Sequence, residues 1–112
     1  MRSPKQRHRV LLTYDAQNDV ADICRYIAQR DSTEAANRVL DALEQCWVGL
    51  TNMPERGNIP KELANLGISD FRETHYKPYR IIYRIIRSDV IVYCVVDGRR
   101  DMRSFLERRL LR

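Results

Sequence analysis

The sequence predicts a single α+β domain built in the order β-α-α-β-β-β-α. Three observations support this prediction. Apolar residues recur at helical spacing over residues 20–50, and β-branched and aromatic residues dominate residues 71–97. In addition, 112 residues with 44% apolar and 31% charged side chains are enough for one domain with one hydrophobic core. We therefore assign residues 1–112 to an N-terminal strand, an antiparallel helical hairpin, a three-stranded antiparallel meander and a C-terminal helix.

The first half of the chain predicts the strand and the helical hairpin. HRVLLT at residues 8–13 is a strand candidate, and the first helix starts near Asp15. Its apolar stripe follows the i, i+3, i+4, i+7 pattern at Val20, Ile23, Cys24 and Ile27. Asp31 or Ser32 caps the second helix, which runs to about Met53. That helix places six apolar residues on one side: Ala36, Val39, Leu40, Leu43, Trp47 and Leu50.

The second half predicts the meander and the final helix. Pro54 ends the hairpin, and the long segment after it includes one or two helical turns that end at Gly67. The three strands lie roughly at 71–76, 79–87 and 90–97, with tight turns at Lys77-Pro78 and Ser88-Asp89. Gly98 then breaks the last strand, and Asp101 caps a final helix, DMRSFLERRLLR.

The central strand, YRIIYRIIR at residues 79–87, has two faces of different character. Because side chains alternate along a strand, one face carries Tyr79, Ile81, Tyr83 and Ile85. The opposite face carries Arg80, Ile82, Arg84 and Ile86. We expect the first face to pack on the helical hairpin. We expect the second face to be open in the free protein and to bind an acidic partner through its arginines and isoleucines.

The net charge of +5 is unevenly distributed along the chain. Residues 1–70 hold 9 Lys/Arg against 10 Asp/Glu, whereas residues 71–112 hold 11 against 5. We interpret this as an acidic helical half joined to a basic half, with a directed electric field between them. The distribution favours a nucleic acid or an acidic protein as the partner.

Composition argues against several other classes of protein. The chain has no apolar run of about 18 residues, so no membrane span is predicted. Its N-terminus, MRSPKQRHRV, lacks the apolar stretch of a secretory signal, and we expect a cytoplasmic protein. Cys24, Cys46 and Cys94 form no CxxC pair and are interpreted as buried free thiols. His8 and His75 lack the ligand spacing of a zinc site, and no cofactor motif is present.

The stretch FRETHYKPYRIIYRIIRSDVIVYCVVDGRRD, residues 71–101, resembles the C-terminal half of the RelE/ParE superfamily of bacterial toxins from type II toxin–antitoxin systems. The YRIIYR core, the apolar strand after it and GRRD at 98–101 are the most specific part. The helical hairpin, the MPERG turn and the terminal helix also lie in the superfamily's order. The resemblance implies a compact antiparallel sheet with the hairpin against it, wrapped by a cognate antitoxin.

The superfamily contains two chemistries. RelE-like members cut messenger RNA in the ribosome, and their lysine, arginine and tyrosine side chains move protons and neutralise the phosphate. ParE-like members have no known hydrolytic chemistry and inhibit DNA gyrase or a related topoisomerase. Arg80 and Arg100 match the superfamily's arginines on the strand and after the final strand. The paired lysines are not matched by FRETHY, and no tyrosine occurs near Ser104-Phe105-Leu106.

Two sets of candidate site residues follow from this resemblance. In the ribonuclease alternative, His75 carries the proton and Arg80 and Arg100 act with it, although His75 is also typical of a strand edge or turn. Arg80 and Arg84 have an alternative interpretation too, as solvated surface arginines paired with Glu73 across the meander. The candidates for binding antitoxin or target are Arg72, Arg80, Ile82, Arg84, Arg99 and Arg100.

The resemblance favours a ParE-like toxin that inhibits gyrase or a related type II topoisomerase. Its partner would be an antitoxin with an acidic toxin-binding segment. This interpretation involves no catalytic residue, metal or cofactor. Two alternatives remain open: a RelE-like endoribonuclease acting on ribosome-bound messenger RNA, and a basic DNA-binding protein without toxin activity, which would bind duplex DNA with steep salt dependence.

Overall fold

Four strands and four helices make up the computed structural model, which describes residues 8–111. The strands are Arg9–Leu12 (β1), Phe71–Tyr76 (β2), Tyr79–Ile86 (β3) and Asp89–Asp97 (β4). The helices are Tyr14–Arg30 (α1), Thr33–Val48 (α2), Lys61–Ala64 (α3) and Met102–Leu110 (α4). The element order is the predicted one, and α3 is the short helix expected in the long connection.

The sheet has four strands in the order β1-β4-β3-β2. The pairs β2–β3 and β3–β4 are antiparallel, which confirms the predicted meander. β1 pairs in parallel with β4, from Arg9 opposite Asp89 to Leu12 opposite Val92. The N-terminal strand therefore completes the same sheet at its β4 edge, a placement that local sequence patterns do not indicate.

Helix starts follow the side chains that accept hydrogen bonds from the first helical turn. The Thr13 hydroxyl accepts from the backbone N–H three residues later at 3.1 Å, so α1 begins just before Asp15. The Ser32 hydroxyl makes the same contact at 3.0 Å, which decides between Asp31 and Ser32 as the cap of α2. The Asp101 carboxylate caps α4 at 3.2 Å, as predicted.

Two boundaries differ from the sequence prediction. α2 ends at Val48, and a 3-10 turn at Gly49–Thr51 replaces the final α-helical turn that was expected to reach Met53. The turn between β3 and β4 lies at residues 87–88, where Arg87 has a left-handed φ of 57°. Each difference moves an element end by a few residues without changing the fold.

The sheet separates two hydrophobic cores. On one face, α1 and α2 cover Ile81 and Tyr83, which are fully buried, and Tyr79 and Ile85 pack against the same core. This confirms the predicted packing of the Tyr/Ile face on the hairpin. On the other face, the core formed with α3 and α4 encloses Ile82, which is also fully buried. Burial of one such side chain contributes about 1.5–3 kcal/mol to stability.

A bulge shifts the side-chain alternation of β4 by one residue. Ile82 lies opposite Cys94, but Tyr83 lies opposite Val92, so Tyr93 is the extra residue. Val92 belongs to the hairpin-side core, whereas Tyr93 and Cys94 both pack in the opposite core. The bulge explains why a strict period of two does not describe the whole strand.

The three cysteines are free thiols in different surroundings. Cys94 is fully buried, and burial raises the pKa of its thiol to about 12. Cys24 and Cys46 are half-buried, so the prediction of buried thiols is correct for Cys94 alone. No helix within residues 8–111 is long and apolar enough to cross a membrane.

Candidate functional site

Arg80, the strand arginine expected to bind a partner, is enclosed by two carboxylates. Its Nη1 and Nη2 groups donate to Glu62 on α3 at 2.9 and 2.8 Å. Its Nε and Nη2 donate to Glu73 on β2 at 2.6 and 3.0 Å. The bidentate contact holds the pKa of the Glu62 carboxyl below its usual range. Arg80 therefore anchors α3 to the sheet.

The expectation that Arg80 lies on an open or solvated face is wrong, since only 13% of its side chain is exposed. The sheet register places Glu73 opposite Ile82, on the same face as Arg80 and close to it. The predicted cross-strand pair of Arg80 with Glu73 is thus confirmed. Gly98 makes room for this arginine, because a Cβ there would lie 2.8 Å from Arg80 Cδ.

His75 shares the same carboxylate. Its Nε2 lies 3.1 Å from Glu73 Oε1, and 48% of its side chain is exposed. Two residues of the ribonuclease alternative, His75 and Arg80, are therefore neighbours, and both contact the Glu73 carboxylate. With a neutral imidazole this cluster carries a net charge of −1, which disfavours phosphate binding. Within residues 8–111, no three His, Cys, Asp or Glu side chains form a metal-binding group.

Arg72 holds the connection between α2 and α3 in place. Its Nη1 donates to the carbonyls of Glu55 and Gly57 at 3.3 and 2.8 Å. Beneath it, the buried Tyr83 hydroxyl donates to the Pro54 carbonyl at 2.7 Å and accepts from the Gly57 N–H at 3.1 Å. Burial raises the pKa of Tyr83. Because Arg72 already donates to these backbone carbonyls, a partner would have to compete with them for its guanidinium group.

The rest of the Arg/Ile face of β3 is divided between core and surface. Ile82 is fully buried in the core that α3 and α4 complete, so the expectation of an exposed binding isoleucine is wrong. Arg84 remains 42% exposed and lies 3.7 Å from Asp70. Ile86 is 40% exposed. Only the Arg84–Ile86 end has the open character that the alternation predicted.

Arg99 and Arg100 follow β4 and have different surroundings. Arg99 Nη2 lies 2.6 Å from Asp97 Oδ2, and this contact holds the pKa of the Asp97 carboxyl below its usual range. The Arg100 guanidinium lies 4.8 Å from the centroid of the Phe105 ring. Among the described residues, no oxygen accepts a hydrogen bond from the Arg100 side chain. Arg100 is thus a sequence-predicted site residue whose side-chain donors are unused within the described part of the chain.

A partly buried ion pair between α1 and α4 was missed by sequence reasoning. The two Nη atoms of Arg109 donate to Asp19 at 2.8 and 2.9 Å, and Nη1 also donates to the Tyr93 carbonyl at 3.0 Å. Asp19 in turn accepts from the Val95 N–H at 3.0 Å. These backbone groups lie on the part of β4 that β1 does not reach. Asp19 and Arg109 are 90 positions apart, so no spacing pattern indicates their contact.

A cavity of about 560 Å³ lies beside this ion pair, between α1 and α4. Asp19 is neutralised by Arg109, and Asp22 accepts a hydrogen bond from Arg25 at 2.8 Å. Arg108 also faces the cavity and, like Arg100, has no acceptor among residues 8–111. The lining residues are Asp19, Asp22, Arg100, Phe105, Arg108 and Arg109.

Ion pairs between the two halves of the chain reduce the field that the charge distribution predicts. Four acidic residues before residue 71 lie within 4 Å of an arginine after it. The pairs are Glu62–Arg80, Asp70–Arg84, Asp15–Arg109 and Asp19–Arg109. The excess of arginine in the second half is therefore partly internal, and the arginines without acidic partners define the basic surface.

Comparison with known proteins identifies the family. A model of the ParE toxin of type II toxin–antitoxin systems matches residues 10–102. The toxin ParE3 of Caulobacter vibrioides is 23% identical over 101 residues, which cover 90% of this chain and 97% of that protein. The family match ends at the first residue of α4, so the rest of α4 lies beyond it.

Two solved structures share the fold. The chromosomal ParDE toxin–antitoxin system of P. aeruginosa contains a chain with a TM-score of 0.67 and 16% identity, which covers 82% of this chain and 97% of that one. The RelBE2 toxin–antitoxin complex of Mycobacterium tuberculosis contains one with a TM-score of 0.58 and 19% identity, at 86% and 97% coverage. These likenesses show the fold, and the match to the family model over residues 10–102 shows the family. The chain therefore belongs to the ParE toxin family of type II toxin–antitoxin systems.

Proposed function

We propose that this protein inhibits DNA gyrase or a related type II topoisomerase, and that a cognate antitoxin neutralises it. The observation that carries the choice of target is the enclosure of Arg80 by Glu62 and Glu73. RNA cleavage requires a cation that is free to stabilise charge on the phosphate. Arg80 resembles the superfamily's arginine for that step, but it already donates four hydrogen bonds to carboxylates.

The surroundings of His75 support the same choice. A histidine beside a carboxylate is a common arrangement for a general base, and His75 lies beside Glu73. General acid–base catalysis contributes about 10²–10⁴-fold and works together with charge stabilisation at the reacting group. The neighbouring Arg80 already donates hydrogen bonds to Glu62 and Glu73. The site therefore lacks a free cation that could stabilise charge on the phosphate.

The proposal is tested with purified protein in two assays. In a supercoiling assay the protein should inhibit gyrase or trap it on cleaved DNA, and in a translation assay it should leave ribosome-bound transcripts intact. The His75→Gln variant should inhibit to within about twofold of the unmodified protein, because the proposed mechanism uses no proton transfer. Lys77→Gln, at the exposed turn after β2, is the matched control.

Growth provides the second readout. Expression of the chain alone should arrest bacterial growth, and co-expression of the product of the adjacent small reading frame should restore it. If transcripts are cut within the ribosomal A site and His75→Gln abolishes the cutting, the ribonuclease function replaces the proposed one. If neither target responds and the protein binds duplex DNA with steep salt dependence, a DNA-binding function replaces it.

A further inference from the structure

Two arginines on the wall of the cavity between α1 and α4 donate to no oxygen of the residues that the structure describes. Arg72, Arg80 and Arg109 are engaged by protein oxygens, whereas Arg100 and Arg108 have no acceptor within residues 8–111. Both line the same 560 Å³ space. Two guanidinium groups on one concave surface offer several donors to an anionic group that enters it, and charge-assisted hydrogen bonds of this kind are the strong ones.

Arg100 is held in position before any ligand binds. Its guanidinium lies 4.8 Å from the centre of the Phe105 ring, and the Arg109 guanidinium lies 4.8 Å from the same ring. Phe105 is 7% exposed and belongs to the second core. Stacking on an aromatic face leaves the N–H groups at the edges of a guanidinium available for hydrogen bonds. The side chain is therefore ordered without its donors being consumed, which lowers the entropic cost of binding.

The anchoring of α4 gives this wall of the cavity a rigid support. Met102, Phe105 and Leu106 are buried at 5%, 7% and 1% exposure. Arg109 fixes the far end of the helix to Asp19 on α1 through two hydrogen bonds below 3 Å. Asp19 and Arg109, which both line the cavity, thus tie α1 to α4.

We propose that Arg100 and Arg108 bind a carboxylate of a partner polypeptide in this cavity. The inference rests on the proposed toxin function, in which the partner is the antitoxin. A polypeptide fits better than a nucleic acid because acidic side chains surround the two arginines. Asp22 lines the same cavity, and Asp97 lines the cavity next to it together with Arg100. A row of phosphates would be repelled there, whereas a segment with one well-placed acidic residue would not.

Part of the proposed site lies beyond the residues that the family model matches. The family model covers residues 10–102, and Phe105 and Arg108 lie after its end. The site therefore depends in part on α4, of which only Met102 lies within the matched residues.

The first test measures binding of the purified product of the adjacent small reading frame by calorimetry. Arg100→Gln/Arg108→Gln should weaken its affinity by about 10- to 100-fold, since each lost contact involves a charged group at an interface. Arg38→Gln, on the exposed face of α2, is the matched control and should change affinity less than about twofold. An unchanged affinity of the double variant would overturn the proposal even if the two proteins bind tightly.

The second test needs no antitoxin. The Nε–H signals of the arginines are followed by NMR while a triglutamate peptide, inorganic phosphate or an oligothymidine strand is added to the intact chain. The peptide should shift the Arg100 and Arg108 signals at lower concentration than the Arg38 signal. An equal response of all exposed arginines would overturn the site, and tighter binding of the oligothymidine would overturn the polypeptide assignment. If the peptide shifts the Arg100 and Arg108 signals selectively but the product of the adjacent reading frame does not bind, the antitoxin is rejected as the partner. The carboxylate-binding site is then retained.

Discussion

At the scale of single residues, the most consequential contact is the double ion pair of Arg80. Replacing Arg80 with Ala leaves Glu73, 4% exposed, as a buried charge beside His75. Removing one partner of a buried ion pair costs about 3–5 kcal/mol, and we expect a loss of that size in urea unfolding at pH 7. Arg84→Ala is the control, because Arg84 is half-exposed and should cost below about 1 kcal/mol. Equal losses in the two variants would contradict the anchoring role.

The same cluster predicts an acid dependence of stability. Arg80 lowers the pKa of Glu62 in the folded state relative to its usual value of 4.5. Glu62 therefore contributes stability that is fully present above about pH 4.5 and is lost as the pH falls through its lowered folded-state pKa. Glu62→Gln should flatten this part of the free energy of unfolding measured between pH 6 and pH 3. Glu44→Gln, at an exposed position of α2, should retain the slope of the unmodified protein, and an unchanged slope in Glu62→Gln would refute the linkage.

At the scale of elements, the connection between α2 and α3 depends on close approach of its backbone to the sheet. A Cβ on Gly57 would lie 2.6 Å from the Tyr83 hydroxyl and would clash with the Glu73 carbonyl. Gly57→Ala should therefore lower the unfolding free energy by about 1–3 kcal/mol or more. Gly49→Ala is the matched control, since Gly49 has right-handed helical dihedrals and its Cβ would approach nothing closer than 3.5 Å. That control should be neutral or stabilising.

The comparison of these two glycines also tests the loop geometry. If Gly57→Ala and Gly49→Ala unfold at the same urea concentration, the close packing of the loop on β2 and β3 is wrong. If only Gly57→Ala is destabilised, Tyr83→Phe should reproduce part of the loss. The Tyr83 hydroxyl makes two hydrogen bonds to this loop, and a lost bond to a buried group costs about 1–3 kcal/mol.

At the scale of the whole molecule, the charge that remains after internal pairing should guide the antitoxin. Ion pairs with acidic residues of the first half neutralise Arg80, Arg84 and Arg109 of the second half. Arg100 and Arg108 have no hydrogen-bond acceptor within residues 8–111, so their positive charge remains available. We expect the association rate with the acidic antitoxin segment to fall as salt rises from low to physiological strength. Stopped-flow mixing in potassium chloride measures this, with sucrose at equal osmolality as the control. A rate that is indifferent to salt would contradict the electrostatic argument.

The sequence by itself determined the elements and their order. Helical spacing in α1, alternation in β3 and the cap at Asp101 are local properties, because each depends on residues a few positions apart. The same alternation correctly assigned Tyr79, Ile81, Tyr83 and Ile85 to the hairpin-side core. The predicted boundary was least accurate at the end of α2, and the bulge in β4 was not predicted.

Only the tertiary structure decided which arginines are available. Sequence alternation placed Arg80, Ile82 and Arg84 on one face but could not show that α3 and α4 fold back over most of it. As a result, Arg80 donates to Glu62, which lies 18 positions away, and Ile82 is buried. The Arg100 side chain, by contrast, donates to no oxygen of the described residues. Asp19 and Arg109 meet across 90 positions for the same reason. Contacts between distant segments depend on how elements dock, and neither propensity nor periodicity in one chain encodes that docking.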